Sequence, residues 1–272
     1  VTLPALIACD VDGTLLDHNE TITARTRYAV RAAVQAGAQF ILATGRPPRW
    51  VQPVVDALGF APMAVCANGA VIYDPAGDRV VSARTLSVEI LGELAEIATR
   101  VIPGAGLAVE RVGNRAHDTA TPQFVSSPGY EHAWLNPDNT EVSIQDLLSA
   151  PAVKLLIRKV GARSADMAAE LARHTSLVDG EITYSTDSGL IEIVPAGVSK
   201  ATGIEELARP RGITDDDVIA FGDMPNDVPM LLRAGHGVAM GNAHPDAMAA
   251  ANEVTTPNTD DGVARVLERW WL

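Results

Sequence analysis

The chain has 272 residues, more than one ordinary domain needs, so it holds either a single large α/β unit or a core that carries a second domain. With 47% hydrophobic and 20% charged residues the composition is that of an ordinary globular protein, which excludes disordered, collagen-like and coiled-coil chains. The 34 acidic residues outweigh the 21 basic ones, and the resulting charge of −13 repels phosphate backbones and anionic lipid, so no nucleic-acid and no membrane partner is expected.

The first segment, Val1-Thr2-Leu3-Pro4, has no basic stretch ahead of an apolar one, and no apolar run approaches the ~18 to 20 residues that span a bilayer; a cytoplasmic location is expected. Ala5–Cys9 reads as a buried strand and Thr23–Gly37 as a helix stopped by glycine. Phe40–Ala43 and Met63–Ala67 read as the next strands. Val71–Tyr73 and Arg79–Val81 flank a Pro- and Gly-containing turn, as in a hairpin. Cys9 and Cys66 both sit inside apolar runs and are expected to be buried free thiols.

From about Ser82 to Asp187 the pattern changes. A helix over Val88–Val101, strands at Leu107–Arg111 and Val153–Lys159, a helix over Arg163–His174 and a strand near Ile182–Tyr184 predict an inserted α+β domain. The main pattern is then expected to resume at Leu190–Val194, followed by a helix after Ser199. The strand Val218–Phe221, a helix from Val228, the strand Gly237–Met240 and an amphipathic helix from Gly262 close the chain. The predicted division is 1–82 with 188–272 as the core and 83–187 as the insert.

Chemistry concentrates where these strands end. Asp10-Val11-Asp12-Gly13-Thr14 follows the first strand directly, and carboxyl ends of parallel strands form binding crevices. If the segment is extended, Asp10 and Asp12 share a face and can address one centre; their mutual repulsion is relieved by a cation such as Mg²⁺, which favours oxygen ligands. The same residues would also serve as a surface Asx turn. Ala43-Thr44-Gly45-Arg46-Pro47 places a hydroxyl and a flexible backbone after the second strand, suited to a phosphate oxygen or to a helix N-cap. Lys200, opening a helix in Gly197-Val198-Ser199-Lys200, is a point-charge partner for phosphate or a solvated surface lysine. Phe221-Gly222-Asp223-Met224-Pro225-Asn226-Asp227 sets two acids and an amide at one strand end, more than a cap requires. Asn68-Gly69-Ala70 reads as a turn into the hairpin, with Asn68 a candidate for tying loops together.

These motifs, in this order and with the insert between the second and third, resemble the haloacid dehalogenase superfamily, in its Cof-type (subfamily IIB) branch. Met240-Gly241-Asn242-Ala243 and Asp261-Gly262-Val263-Ala264 extend the likeness. The resemblance implies an α/β fold: a Rossmann-like parallel-sheet core with helices on both faces and an inserted α+β cap domain of the C2B type. It implies a phosphatase with Mg²⁺ as cofactor and a small phosphorylated metabolite, a sugar phosphate or a phosphorylated cofactor such as flavin mononucleotide or pyridoxal phosphate, as substrate. Asp10 would be the nucleophile that forms an aspartyl-phosphate and Asp12 the general acid and base. Asp10, the Asp12 carbonyl and Asp223 would hold the metal. Val11, Thr44, Gly45, Lys200 and Asn226 would surround the phosphoryl oxygens, with Asp227 supporting Lys200 or the metal. A phosphomutase or phosphotransferase of the same fold and a non-catalytic phosphometabolite-binding module are the alternatives. The cap is expected to set specificity, with Glu110, Arg111, Asn114, His117 and Tyr184, and Trp50 of the core, as candidates. The assembly is expected to be a monomer or a homodimer.

Overall fold

The computed structural model describes residues 3–118, 122–176 and 180–272. Its elements begin with strand β1 (Leu6–Cys9), helix α1 (Ala24–Gln35), β2 (Gln39–Ala43), α2 (Gln52–Leu58), β3 (Ala64–Cys66) and β4 (Val71–Asp74). Next come β5 (Arg79–Ala83), α3 (Val88–Val101), β6 (Gly106–Glu110), β7 (Phe124–Ser126), β8 (Asn139–Glu141), α4 (Ile144–Leu147), β9 (Lys154–Arg158), α5 (Ser164–Ala172), β10 (Glu181–Thr183) and β11 (Leu190–Val194). The chain ends with α6 (Lys200–Ala208), β12 (Val218–Gly222), α7 (Val228–Arg233), β13 (His236–Ala239), α8 (Pro245–Ala250), β14 (Glu253–Val254) and α9 (Gly262–Trp271). Two compact units result: Val1–Asp78 with Ser199–Leu272, and Arg79–Val198.

Within the first unit the strands follow the order β14-β13-β12-β1-β2-β3-β4. Every pairing among them is parallel except β3 with β4. β1 and β12 are buried at every residue, which is why they read as unbroken apolar runs rather than alternating ones. Helix α1 packs on α9, and α6 on α7. Thr23 starts α1 by accepting the Thr26 N–H, and Ser199 and Thr202 form a reciprocal capping box that starts α6. β1 stands between β2 and β12, so the strand order reverses beside it. In open parallel sheets the crevice outside the carboxyl ends at such a reversal is the binding site.

The second unit is a six-stranded sheet ordered β10-β11-β9-β6-β7-β8, antiparallel except for β7 with β8. Helices α3 and α5 pack together, and α5 lies on β11. Ala108, Phe124, Leu156 and Leu190 form a cluster with Tyr130. Glu110 and Lys154 are register partners on β6 and β9, and the buried Lys154 ammonium lies 2.5 Å from Glu192. The division falls at Arg79 rather than after residue 82, and the expected place of the strand Leu190–Val194 is corrected. It pairs with β9 and β10 in this second sheet, and the first unit resumes only at Ser199. Its run is apolar on both sides and would suit either sheet, but Glu192 at its centre finds its cation on β9.

Cys9 and Cys66 are buried free thiols, as expected. No described helix is long and apolar enough to cross a membrane.

Candidate active site

The turns after β1, β2, β3 and β12 and the first residue of α6 converge at the carboxyl end of the parallel sheet. Asp10 directly follows β1, and its backbone N–H donates to the Phe221 carbonyl of β12, holding the two strand ends together. Lys200 is fully buried, and its ammonium lies 2.5 Å from Asp10 Oδ1 and 2.6 Å from Asp227 Oδ1. The other oxygen of Asp227 accepts the backbone N–H groups of Asp223 and Met224, both at 2.9 Å, and so shapes the turn after β12. Asp223 accepts the Thr14 hydroxyl at 3.2 Å. Among the described residues, carboxylate oxygens of Asp10, Asp223 and Asp227 lie within 4.8 Å of one another.

The charges explain the titration behaviour. Burial, then the charge of Asp227, pushes Asp10 up to about 7 against the pull of Lys200. Burial, then Asp10 and Asp227, pushes Asp223 up to about 9. Burial alone would lower Lys200, yet Asp10 and Asp227 hold it above the ordinary lysine range. Three carboxylates against one ammonium leave two uncompensated negative charges, which one divalent cation would balance. The donor set is all oxygen, as Mg²⁺ prefers. Asn226 adds a buried amide oxygen without a hydrogen bond, while its NH₂ donates to Asn68 Oδ1 at 3.0 Å. These residues fit a hard divalent ion.

Thr44 is buried at the end of β2, where its hydroxyl oxygen accepts the Arg46 N–H at 3.0 Å, keeping its own proton as a donor. Gly45 follows it, and a side chain there would press on Asn68 Oδ1 at 3.0 Å. Val11 is buried beside Asp10. The structure thus gathers Asp10, Lys200, Asp223 and Asp227 in one cluster, while Asn226 is held by Asn68 beside Gly45.

The carboxylate of Asp12 does not join them. The segment is not extended: the Val11 carbonyl accepts the N–H groups of Leu15 and Leu16, so the chain turns at Val11 and the alternation that would have aligned Asp10 with Asp12 is broken. Asp12 points instead to Arg46, whose guanidinium grips it at 2.6 and 2.9 Å.

Arg46 and Thr14 were not singled out in the sequence, although both stand inside motifs that were. Asn68 turns the chain and, by accepting from Asn226, ties two loops together as expected. It lies at φ 56 between Ala67 at φ 49 and Gly69 at φ 104, three consecutive left-handed residues. A side chain at Gly69 would fall 2.0 Å from the Ser199 carbonyl, so glycine is what lets this turn press against the start of α6. Of the specificity candidates, Arg111 donates to the Asp146 and Leu147 carbonyls and the Asn114 carbonyl accepts the Val80 N–H, which are architectural roles. Glu110 and Tyr184 are buried, and His117 is exposed.

Known proteins resemble this chain over nearly its whole length. Residues 7–267 match the family described as haloacid dehalogenase-like hydrolase. A 5-amino-6-(5-phospho-D-ribitylamino)uracil phosphatase of Bacillus subtilis is 30% identical, over 99% of this chain and 98% of its own. A pyridoxal phosphate phosphatase of Escherichia coli is 28% identical, over 96% of this chain and 97% of its own. The solved structure of a sugar phosphatase of haloacid dehalogenase subclass IIB shares the fold with a TM-score of 0.79 at 24% identity, covering 97% of this chain and 98% of that one.

Proposed function

The chain belongs to the haloacid dehalogenase-like hydrolases, and from that membership we propose that it is a Mg²⁺-dependent phosphatase of small phosphorylated metabolites with Asp10 as its nucleophile. The observation that carries this reading is the buried Asp10–Lys200–Asp227 chain beside Asp223, at the carboxyl end of the strand where the sheet order reverses. The first unit is read as the catalytic core and the second as the cap. Relatives acting on a ribityl phosphate and on pyridoxal phosphate support substrates of sugar-phosphate or phosphorylated-cofactor type.

In this reading Asp10 attacks the phosphorus of a monoester, the bond from phosphorus to the alcohol oxygen breaks, and Asp12 gives that oxygen its proton. Water then attacks the aspartyl-phosphate, Asp12 takes a proton from it, and inorganic phosphate leaves as the Asp10 carboxylate is restored. Lys200, fixed between Asp10 and Asp227, offers fixed positive charge to the phosphoryl oxygens, with Thr44 and the backbone at Val11 and Gly45 as further donors. Asp10 and Asp223, with the Asp12 carbonyl, would hold Mg²⁺, which when bound supplies charge neutralisation at the same oxygens. Asp227 keeps Lys200 ionised and in place.

The test is phosphate release from sugar phosphates, flavin mononucleotide and pyridoxal phosphate, with and without Mg²⁺. Release is expected only with the metal, and Asp10→Asn is expected to abolish it while metal binding partly survives. Turnover by D10N at the wild-type rate would overturn the assignment. Label appearing on an added sugar rather than in free phosphate would make the enzyme a phosphotransferase.

A further inference from the structure

The Arg46 guanidinium reaches the acid–base group, while only the backbone N–H of Arg46 meets a proposed phosphate-binding residue, at Thr44 Oγ1. Its Nε lies 2.9 Å from Asp12 Oδ2 and its Nη2 2.6 Å from Asp12 Oδ1, a two-pronged grip that admits one carboxylate orientation. The guanidinium itself is anchored. Nη2 also donates to Glu20 Oε1 at 2.9 Å and Nη1 to the Trp50 carbonyl at 3.3 Å. The side chain of Arg46 is only 13% exposed, whereas those of Asp12 and Glu20 are 58% and 75% exposed. Glu20 adopts a left-handed backbone at φ 57, at the end of a turn in which Asp17 accepts from Asn19 and from Thr21. An exposed carboxylate on a turn would otherwise sample several rotamers, and here a largely buried cation with two further anchoring contacts selects one.

We propose that Arg46 is a positioning residue: it holds the Asp12 carboxylate in a single orientation for proton exchange with the leaving group, and Glu20 holds Arg46. The inference rests on the acid–base reading of Asp12. It separates Arg46 from the phosphate-binding groups, because its effect runs through Asp12 alone.

The experiment compares kcat/KM for an alkyl phosphate, whose alcohol needs a proton to leave, with kcat/KM for p-nitrophenyl phosphate, whose leaving group does not. Arg46→Gln is expected to lower the alkyl value by roughly 10- to 100-fold and the aryl value by less than about threefold. Arg46→Lys, which keeps the charge and loses the fork, should recover part of the loss, and Glu20→Gln should show the same selectivity more weakly without disturbing the site itself. In an Asp12→Asn background, Arg46→Gln should add nothing for the alkyl phosphate. Equal losses on both substrates, or a loss that persists undiminished in the Asp12→Asn background, would overturn the inference and make Arg46 a substrate-phosphate contact or a structural residue. An Asp12→Asn variant that turns over the alkyl phosphate at the wild-type rate would instead remove the acid–base reading, and the inference with it. If Arg46→Gln fails to fold, the Arg46→Lys and Glu20→Gln pair decides the same question.

Discussion

Lys200 Nζ lies 2.5 Å from Asp10 Oδ1 although 190 residues separate the two in sequence. The contact exists because β1 ends just before Asp10 and α6 begins at Lys200, with the ammonium completely buried and shared with Asp227. Replacing Lys200 by Met would keep the volume and strand two carboxylates without their cation. Breaking a buried ion pair from one side costs about 3–5 kcal/mol. Urea unfolding of Lys200→Met in chelator at neutral pH is expected to show a loss of that order, with phosphatase activity falling at least ~100-fold. A variant as stable and as active as the wild type would refute the role assigned to the lysine.

The raised acids would make the proposed metal binding a proton-coupled event. Asp10 and Asp223 move from the usual 3.8 up to about 7 and about 9 on folding without metal. A carboxyl group whose folded value is raised stabilises the fold fully below its unfolded value, and that contribution is lost as pH rises through the folded value. The metal-free protein should therefore lose stability between about pH 4 and about pH 9 through these two groups. Mg²⁺ held as proposed would have to displace their protons, so its affinity is expected to rise over the same window. Scanning calorimetry should show a larger Mg²⁺-induced gain in Tm near pH 9 than near pH 6, and equal gains at both would contradict the assignment.

How much of this could be read beforehand follows from what each signal encodes. β1 and β12 were legible because strands covered on both faces are continuous apolar runs, and the acids stand directly after them. The three-residue strands β7 and β8 were not, since so short a segment in a Pro-, Gly- and Asn-rich stretch has no periodicity to detect. β11 was recognised as a strand but assigned to the wrong sheet. Period and apolarity do not name a partner, although Glu192 in mid-strand and Lys154 in β9 were a pair of buried opposite charges waiting to be matched. The residues of the site were visible as motifs, while their grouping depends on topology. That Asp12 diverges from Asp10 depends on one turn at Val11, which alternation rules assume away.

Asn68 offers a test that separates backbone strain from orientation of the site. Its side-chain oxygen accepts from Asn226, and its backbone is left-handed. Asn68→Gly removes the acceptor and keeps the conformation affordable, whereas Asn68→Ala removes both and adds a left-handed cost of roughly 1–2 kcal/mol. Both variants should lose activity to a similar degree, on the order of tenfold, from a misdirected Asn226 amide. Only Asn68→Ala should lose the additional stability, read by urea unfolding. If Asn68→Gly keeps full activity, the hydrogen bond to Asn226 does not orient the site.

Gly13 sets the distance between the first turn and the acid that ends β12. It sits at φ 79, and a Cβ there would fall 2.3 Å from Asp223 Oδ2, closer than any real contact. The Gly13 carbonyl also accepts the Asn242 side-chain amide at 2.9 Å, which ties the same turn to the segment after β13 and restricts its retreat. Gly13→Ala must therefore displace the Asp223 carboxylate or strain the turn, and either outcome would disturb the cation proposed to sit between Asp10 and Asp223. Calorimetric titration with Mg²⁺ is expected to show affinity reduced about 10- to 100-fold, the range seen when groups that orient metal ligands are lost. The left-handed backbone adds a stability loss of about 1–2 kcal/mol. A Gly13→Ala protein that binds Mg²⁺ as the wild type does would mean that Asp223 is not a ligand, because a side chain forced to move by more than half an ångström cannot preserve an octahedral site.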